Sequence, residues 1–221
     1  MRQDDGAIAR FGGKGGPLPH LTIATPAGPA AVELDPVADA RTLLVIGHGA
    51  GGSIQAPDLL AVRNACLAAG ISVARVTQPY RLAGRKTPPP AATLDAAWRA
   101  VIASLGRRRA TAGLNFVYGG RSSGARVACR TSADELVRPR PIGVLALAFP
   151  LHPPGKPEKS RLDELAAVGV PVLVVQGLSD PFGMPDAAPG RTVERLPGDH
   201  ALKGQASRVG ELAAQWISTL G

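Results

Sequence analysis

Apolar residues along this chain alternate between two spacings, and the changes of spacing divide it into short elements. TLLVIG (residues 42–47) is an unbroken apolar run, as in a strand buried on both faces. ISVARV (71–76), LNFVY (114–118), IGVLALAF (142–149) and PVLVVQG (171–177) read as further strands, and RTVERL (191–196) as a polar edge strand. Between them the spacing lengthens. Residues 57–69 read as a helix ended by Gly70. Residues 91–105 read as a helix with Leu94, Trp98, Val101 and Leu105 on one face. Residues 122–136 are largely helical in pattern, 162–167 form a short helix, and 206–220 a closing one. Ahead of all these, LTIAT (21–25) and AAVEL (30–34) are short strands joined by the turn signal PAGP. Strand and helix alternate from residue 42 onward. The pattern predicts an α/β fold with a mostly parallel sheet, helices on both faces and a small antiparallel start. Residues 1–18 are Gly-rich and polar and are expected to be a flexible arm before a single domain over 19–221. The segment TQPYRLAGRKTPPP (77–90) reads as a long loop.

Composition narrows the class. Hydrophobic residues make up 45% and charged residues 19%, which suits one packed core rather than a disordered chain. Aromatics are only 4%, so that core is aliphatic. No apolar run approaches the roughly 18 residues of a membrane helix. The start, MRQDDGAIARFGGKGG, lacks the apolar core of a secretory signal. Cys66 and Cys129 both fall in predicted helices and form no CxxC pair. They are expected to be buried thiols of a cytoplasmic protein that needs no metal or cofactor. The net charge of +8 comes mostly from scattered arginines. Arg107–Arg109 cluster where cations suit a helix end. Basic residues do not interleave with aromatics, which argues against nucleic-acid binding.

The candidate chemistry begins at VYGGRSSGAR (117–126), between a strand and a helix. Gly120-Arg121-Ser122-Ser123-Gly124 is G-x-S-x-G, the pattern of a serine raised on a sharp strand-to-helix turn. Such a turn closes only if the residues two places either side lack side chains. Ser122 has glycine at both places; Ser123 has Arg121 and Ala125. A tight turn with a serine N-cap would look similar, so the partners decide. Asp180 follows the strand 171–177, and His200 follows the strand 191–196. The chain order Ser122, Asp180, His200 is that of α/β-hydrolase triads, with each residue at a strand's carboxyl end. His200 would be the base that takes the serine proton, and Asp180 would hold the imidazole. Asp199 is a rival acid, disfavoured because adjacent side chains in an extended loop diverge.

A second glycine stretch, IGHGAGGS (46–53), fits G-x-G-x-x-G after a strand. A dinucleotide site would want an acidic residue roughly 20 positions later, and none lies between Asp58 and Asp95. Arg75 or Arg81 would have to meet a phosphate instead. The other reading is an oxyanion loop: the Ala50 N–H, with Gly49 second, pairs with the Ser123 N–H to hold a developing negative charge. His48 is expected to support that loop.

GHGAGG, the 77–90 loop, GGRSSGAR, FPLHPPGKPEK, LSD and GDH, in that order, resemble the small lidless α/β-hydrolases of the dienelactone-hydrolase-like superfamily. More closely they resemble bacterial hydrolases related to the testis-expressed protein 30 branch. The resemblance spans about residues 20–221. It implies the α/β-hydrolase fold and a Ser122–Asp180–His200 site, and names no substrate. Serine replaces the cysteine of dienelactone hydrolase itself. The branch includes a chromatin-complex subunit, so the alternative to an enzyme is an interaction scaffold with the same fold. The expected function is hydrolysis of a small-molecule ester or thioester by a monomer or homodimer. Candidate pocket residues are His48, Tyr80, Arg81, Arg121 and His152, with Arg85 and Lys86 nearby.

Overall fold

The computed structural model describes residues 20–221; the arm expected over 1–18 lies outside the described residues. In chain order the elements are β1 (His20–Thr25), β2 (Gly28–Asp35), β3 (Thr42–Gly47), α1 (Pro57–Ala68), β4 (Ser72–Thr77), α2 (Pro79–Leu82), α3 (Ala91–Gly106), β5 (Asn115–Arg121), α4 (Ser123–Ser132), β6 (Pro141–Leu147), α5 (Leu162–Ala166), β7 (Val172–Gly177), β8 (Arg191–Leu196) and α6 (Ala206–Ser218). The strands form one sheet in the order β1-β2-β4-β3-β5-β6-β7-β8. β1 and β2 are an antiparallel hairpin, and β2 also runs antiparallel to β4. Every other neighbour is parallel.

Alternation along β3 explains the two-faced core. All six of its residues are buried. Leu43 and Val45 point into one cluster with Leu94, Trp98 and Val101 of α3 and Val127 of α4. Leu44 and Ile46 point into the other, with Leu59 and Val62 of α1 and Val209 and Leu212 of α6. The face expected on the 91–105 helix is the buried one. As expected, 191–196 lies at the sheet edge.

Several boundaries differ from the pattern reading, each for a local reason. β5 runs on through Gly119 and Gly120 to Arg121, pairing with Ala146 and Leu147 of β6. β6 stops at Leu147 because Ala148 turns to φ 46°. α4 stops at Ser132; Asp134 then accepts the Leu136 N–H at 3.0 Å, a turn that competes with helix. The 77–90 segment contains the short helix α2, opened by Pro79 where proline suits a first turn.

Parallel strands bring their carboxyl ends to one edge. His48 follows β3, Ser122 follows β5, and the loops after β7 and β8 carry Asp180 and His200. Among the described residues no helix is long and apolar enough to cross a membrane.

Candidate active site

Ser122 stands between β5 and α4 with φ 51° and ψ −111°, a region that residues other than glycine rarely enter. Its N–H donates to the Leu147 carbonyl at 2.8 Å, which ties the turn to β6. The flanking glycines are required sterically. A Cβ on Gly120 would lie 2.6 Å from the Ala125 nitrogen, and one on Gly124 would lie 2.7 Å from the Gly47 carbonyl oxygen. The turn therefore packs directly on the end of β3.

The structure brings the three residues expected from chain order into one hydrogen-bonded line. His200 Nε2 is 2.9 Å from Ser122 Oγ, and His200 Nδ1 is 2.8 Å from Asp180 Oδ2. The Asp180 side chain is fully buried, while that of His200 is 19% exposed, so the line runs from the interior to an accessible end. Asp199, the rival acid, points elsewhere: its Oδ1 accepts the Ala201 N–H at 2.9 Å and the residue is exposed.

Two neighbours of this line escaped the sequence reading. Gln176, fully buried in β7, donates Nε2–H to Asp180 Oδ2 at 2.8 Å and lies 3.0 Å from the Phe149 and 2.9 Å from the Gly183 carbonyl oxygens. Three acceptors around one nitrogen fix which way the amide faces. Asp180 Oδ1 accepts the Phe182 N–H at 2.8 Å, and the Phe182 ring packs on the His200 ring with centroids 4.2 Å apart. Gln176 is the one polar side chain in the otherwise apolar strand VLVVQG, and that was the available signal for it.

The glycine loop after β3 lies beside the serine. A Cβ on Gly49 would be 3.4 Å from the Ser122 Cβ. Gly52 N–H closes a turn on the Gly49 carbonyl at 3.0 Å, and no hydrogen bond from the Ala50 N–H occurs among the described residues. Ser123 is the first residue of α4, where N–H groups have no intrahelical acceptor. The loop does not open a helix directly, since α1 starts only at Pro57. Arg75, the phosphate partner a dinucleotide reading would want, is 2% exposed and bonds Glu33 Oε2 at 2.5 Å.

The pocket residues divide. His48 is a support: its ring lies 2.8 Å from the Gly49 carbonyl oxygen through Nδ1 and accepts the Gln78 N–H at Nε2, 3.1 Å. Burial lowers its pKa, and the Gly49 carbonyl only partly offsets that. Tyr80 is buried against His48, and burial raises its hydroxyl pKa. Both line a cavity of about 10 Å³ with Gln78, Trp98 and Ser123, too small for an acyl chain. Arg81 and Arg121, candidates for the pocket or for packing and salt bridges, are both bound to protein. Arg81 Nε donates to the Gly52 carbonyl at 2.9 Å and its Nη1 to that of Arg85 at 2.9 Å. Arg121 bonds Asp58 and the His200 carbonyl. His152 Nδ1 bonds the Pro153 carbonyl at 2.9 Å, and its Nε2 would sit 2.5 Å from a Cβ on Gly183, beyond Phe182.

Residues 40–208 match the family described as alpha/beta hydrolase domain. The chain belongs to this family. The α/β-hydrolase domain is also similar to solved structures. One is dienelactone hydrolase from Anabaena variabilis, at 18% identity and TM-score 0.73, covering 92% of this chain and 97% of that one. Another is XC6422 from Xanthomonas campestris, described as an α/β serine hydrolase without lid, at 22% identity and TM-score 0.71, covering 91% and 94%. A third is the esterase domain of a Rhodothermus marinus protein, at 16% identity and TM-score 0.69, covering 92% and 99%. At these identities the likeness of the α/β-hydrolase domain to them is one of fold.

Proposed function

We propose that this chain is a serine hydrolase that cleaves a small ester or thioester through an acyl-enzyme. The observation that carries the reading is the unbroken line Ser122 Oγ–His200 Nε2–Asp180 Oδ2 at 2.9 and 2.8 Å, ending on a serine at φ 51°. His200 takes the Ser122 proton as Oγ attacks the carbonyl carbon, and then gives it to the departing alkoxide or thiolate. Water repeats the sequence on the acyl-enzyme and frees the acid. Asp180 keeps the ring in the tautomer with its free lone pair toward serine. The Ala50 and Ser123 N–H groups hold the oxyanion, each worth roughly 10²–10³ in rate. Within the family we place the chain beside the lidless dienelactone-hydrolase-like members and the testis-expressed protein 30 branch, on the motif order. The esterase domain and dienelactone hydrolase among similar structures support ester chemistry as the class.

The test is labelling with a fluorophosphonate probe read by intact mass. Wild type is expected to gain one adduct, and Ser122→Ala none. Folded wild type without an adduct would sink the hydrolase reading and favour the scaffold.

A further inference from the structure

Arg121 immediately precedes Ser122, and its guanidinium joins three segments that meet at the site. Nε donates to Asp58 Oδ2 at 2.8 Å, and Nη2 donates to the His200 carbonyl at 3.0 Å. Asp58 lies in the first turn of α1 and is 4% exposed; its other oxygen accepts the Leu59 N–H at 2.9 Å. The planar fork fixes both donors in one relation, so it ties together the start of α1, the end of β5 and the His200 main chain.

We propose that Arg121, held by Asp58, is a positioning residue: it fixes the His200 main chain against Ser122, and the pair keeps the local charge balanced around the imidazole. This rests on the hydrolase reading above. The positional part follows from what else holds the loop. Gly198, at φ 111°, accepts both the Ser179 N–H and Oγ–H at 2.9 Å, which anchors the loop's base to the turn after β7. Leu202, at φ 49°, donates to the Asp199 carbonyl at 3.1 Å, which closes its far side. Only the Arg121 bond, among the described residues, grips the His200 carbonyl, and it does so from the serine side.

The electrostatic part follows from the charges present. Asp180 meets His200 at Nδ1, and the Arg121–Asp58 pair meets it at the carbonyl. Asp199 and Lys203 on its own loop are exposed and oppose each other, and His152 approaches from beyond Phe182 and Gly183. An unbalanced Arg121 would disfavour the imidazolium that forms when serine gives up its proton. An unbalanced Asp58 would favour it. The two charges are opposite in sign, so each opposes the other's influence on the ring.

The experiment measures the rate of fluorophosphonate labelling of the full chain from about pH 5 to pH 9, a range that brackets imidazole titration. Protonated His200 cannot take the serine proton, so the rate falls on the acid side. Arg121→Met leaves Asp58 unbalanced, and the midpoint of that fall is expected to rise by about half a pH unit. Asp58→Asn leaves Arg121 unbalanced, and the midpoint drops by a similar amount. The double variant returns it to the wild-type position while the rate stays roughly 10–100-fold low, the cost of a misplaced base. Arg121→Lys keeps the charge but not the fork, so its rate falls at an unmoved midpoint. Circular dichroism establishes which variants fold; if Arg121→Met does not, Asp58→Asn and Arg121→Lys still carry the comparison. Folded variants with wild-type rates, or single variants that shift the midpoint in the same direction, overturn the proposal alone. Unlabelled wild type overturns it together with the hydrolase reading.

Discussion

His48 shows how one side chain ties the site to stability. It is 3% exposed and accepts a backbone N–H at Nε2, a bond that a protonated ring cannot make. Burial lowers its pKa in the folded chain. The unfolded chain takes up a proton near pH 6.5 that the folded one refuses. Stability from this residue is therefore full above that pH and falls as pH drops below it. The melting temperature is expected to fall between pH 7.5 and pH 5, and His48→Gln should melt lower at pH 7.5 but with a shallower slope. An unchanged slope would contradict a neutral buried ring. At this scale Ser122, Asp180 and His200 were legible because motif and chain order mark them. Gln176, Phe182 and the Arg121–Asp58 pair were not. Arg121 and Asp58 are 63 residues apart, and nothing local in either neighbourhood announces the other. Sequence left Arg81 and Arg121 open between pocket and salt-bridge roles because their partners, the Gly52 carbonyl and Asp58, lie in other segments of the chain.

Helices and strands decide how firmly those residues are presented. α6 follows the His200 loop and packs closely on α1 at Gly210, where a Cβ would lie 2.6 Å from the Ala61 carbonyl oxygen. Gly210→Leu is expected to wedge the two helices apart and cost about 1–3 kcal/mol, read as a lower urea midpoint. Because α6 begins six residues after His200, labelling of Ser122 should slow as well. A midpoint equal to wild type would mean the helices part without strain. Strand positions were the most readable elements, since buried runs such as 42–47 have only one arrangement in a parallel sheet. Ends were less so. Ala148 at φ 46° and the Asp134 turn stop β6 and α4 through backbone choices that apolar spacing does not encode.

Across the whole molecule, two apolar layers close over one sheet and take both thiols inside. Burial pushes Cys66 and Cys129 up to about 12, so neither is a thiolate at ordinary pH. Ellman's reagent at pH 8 is expected to find no reactive thiol in the native chain and two after guanidinium unfolding; rapid native reaction would mean the layers open readily. The order of strand and helix was legible because the sheet dictates it. The end of β5 also brings a strained residue to the place where the chemistry is proposed. A serine at φ 51° costs about 1–3 kcal/mol that glycine would not. A scaffold with this shape would have no use for a hydroxyl at so strained a turn. On the hydrolase reading, that strain is the cost of presenting the Ser122 oxygen to a substrate.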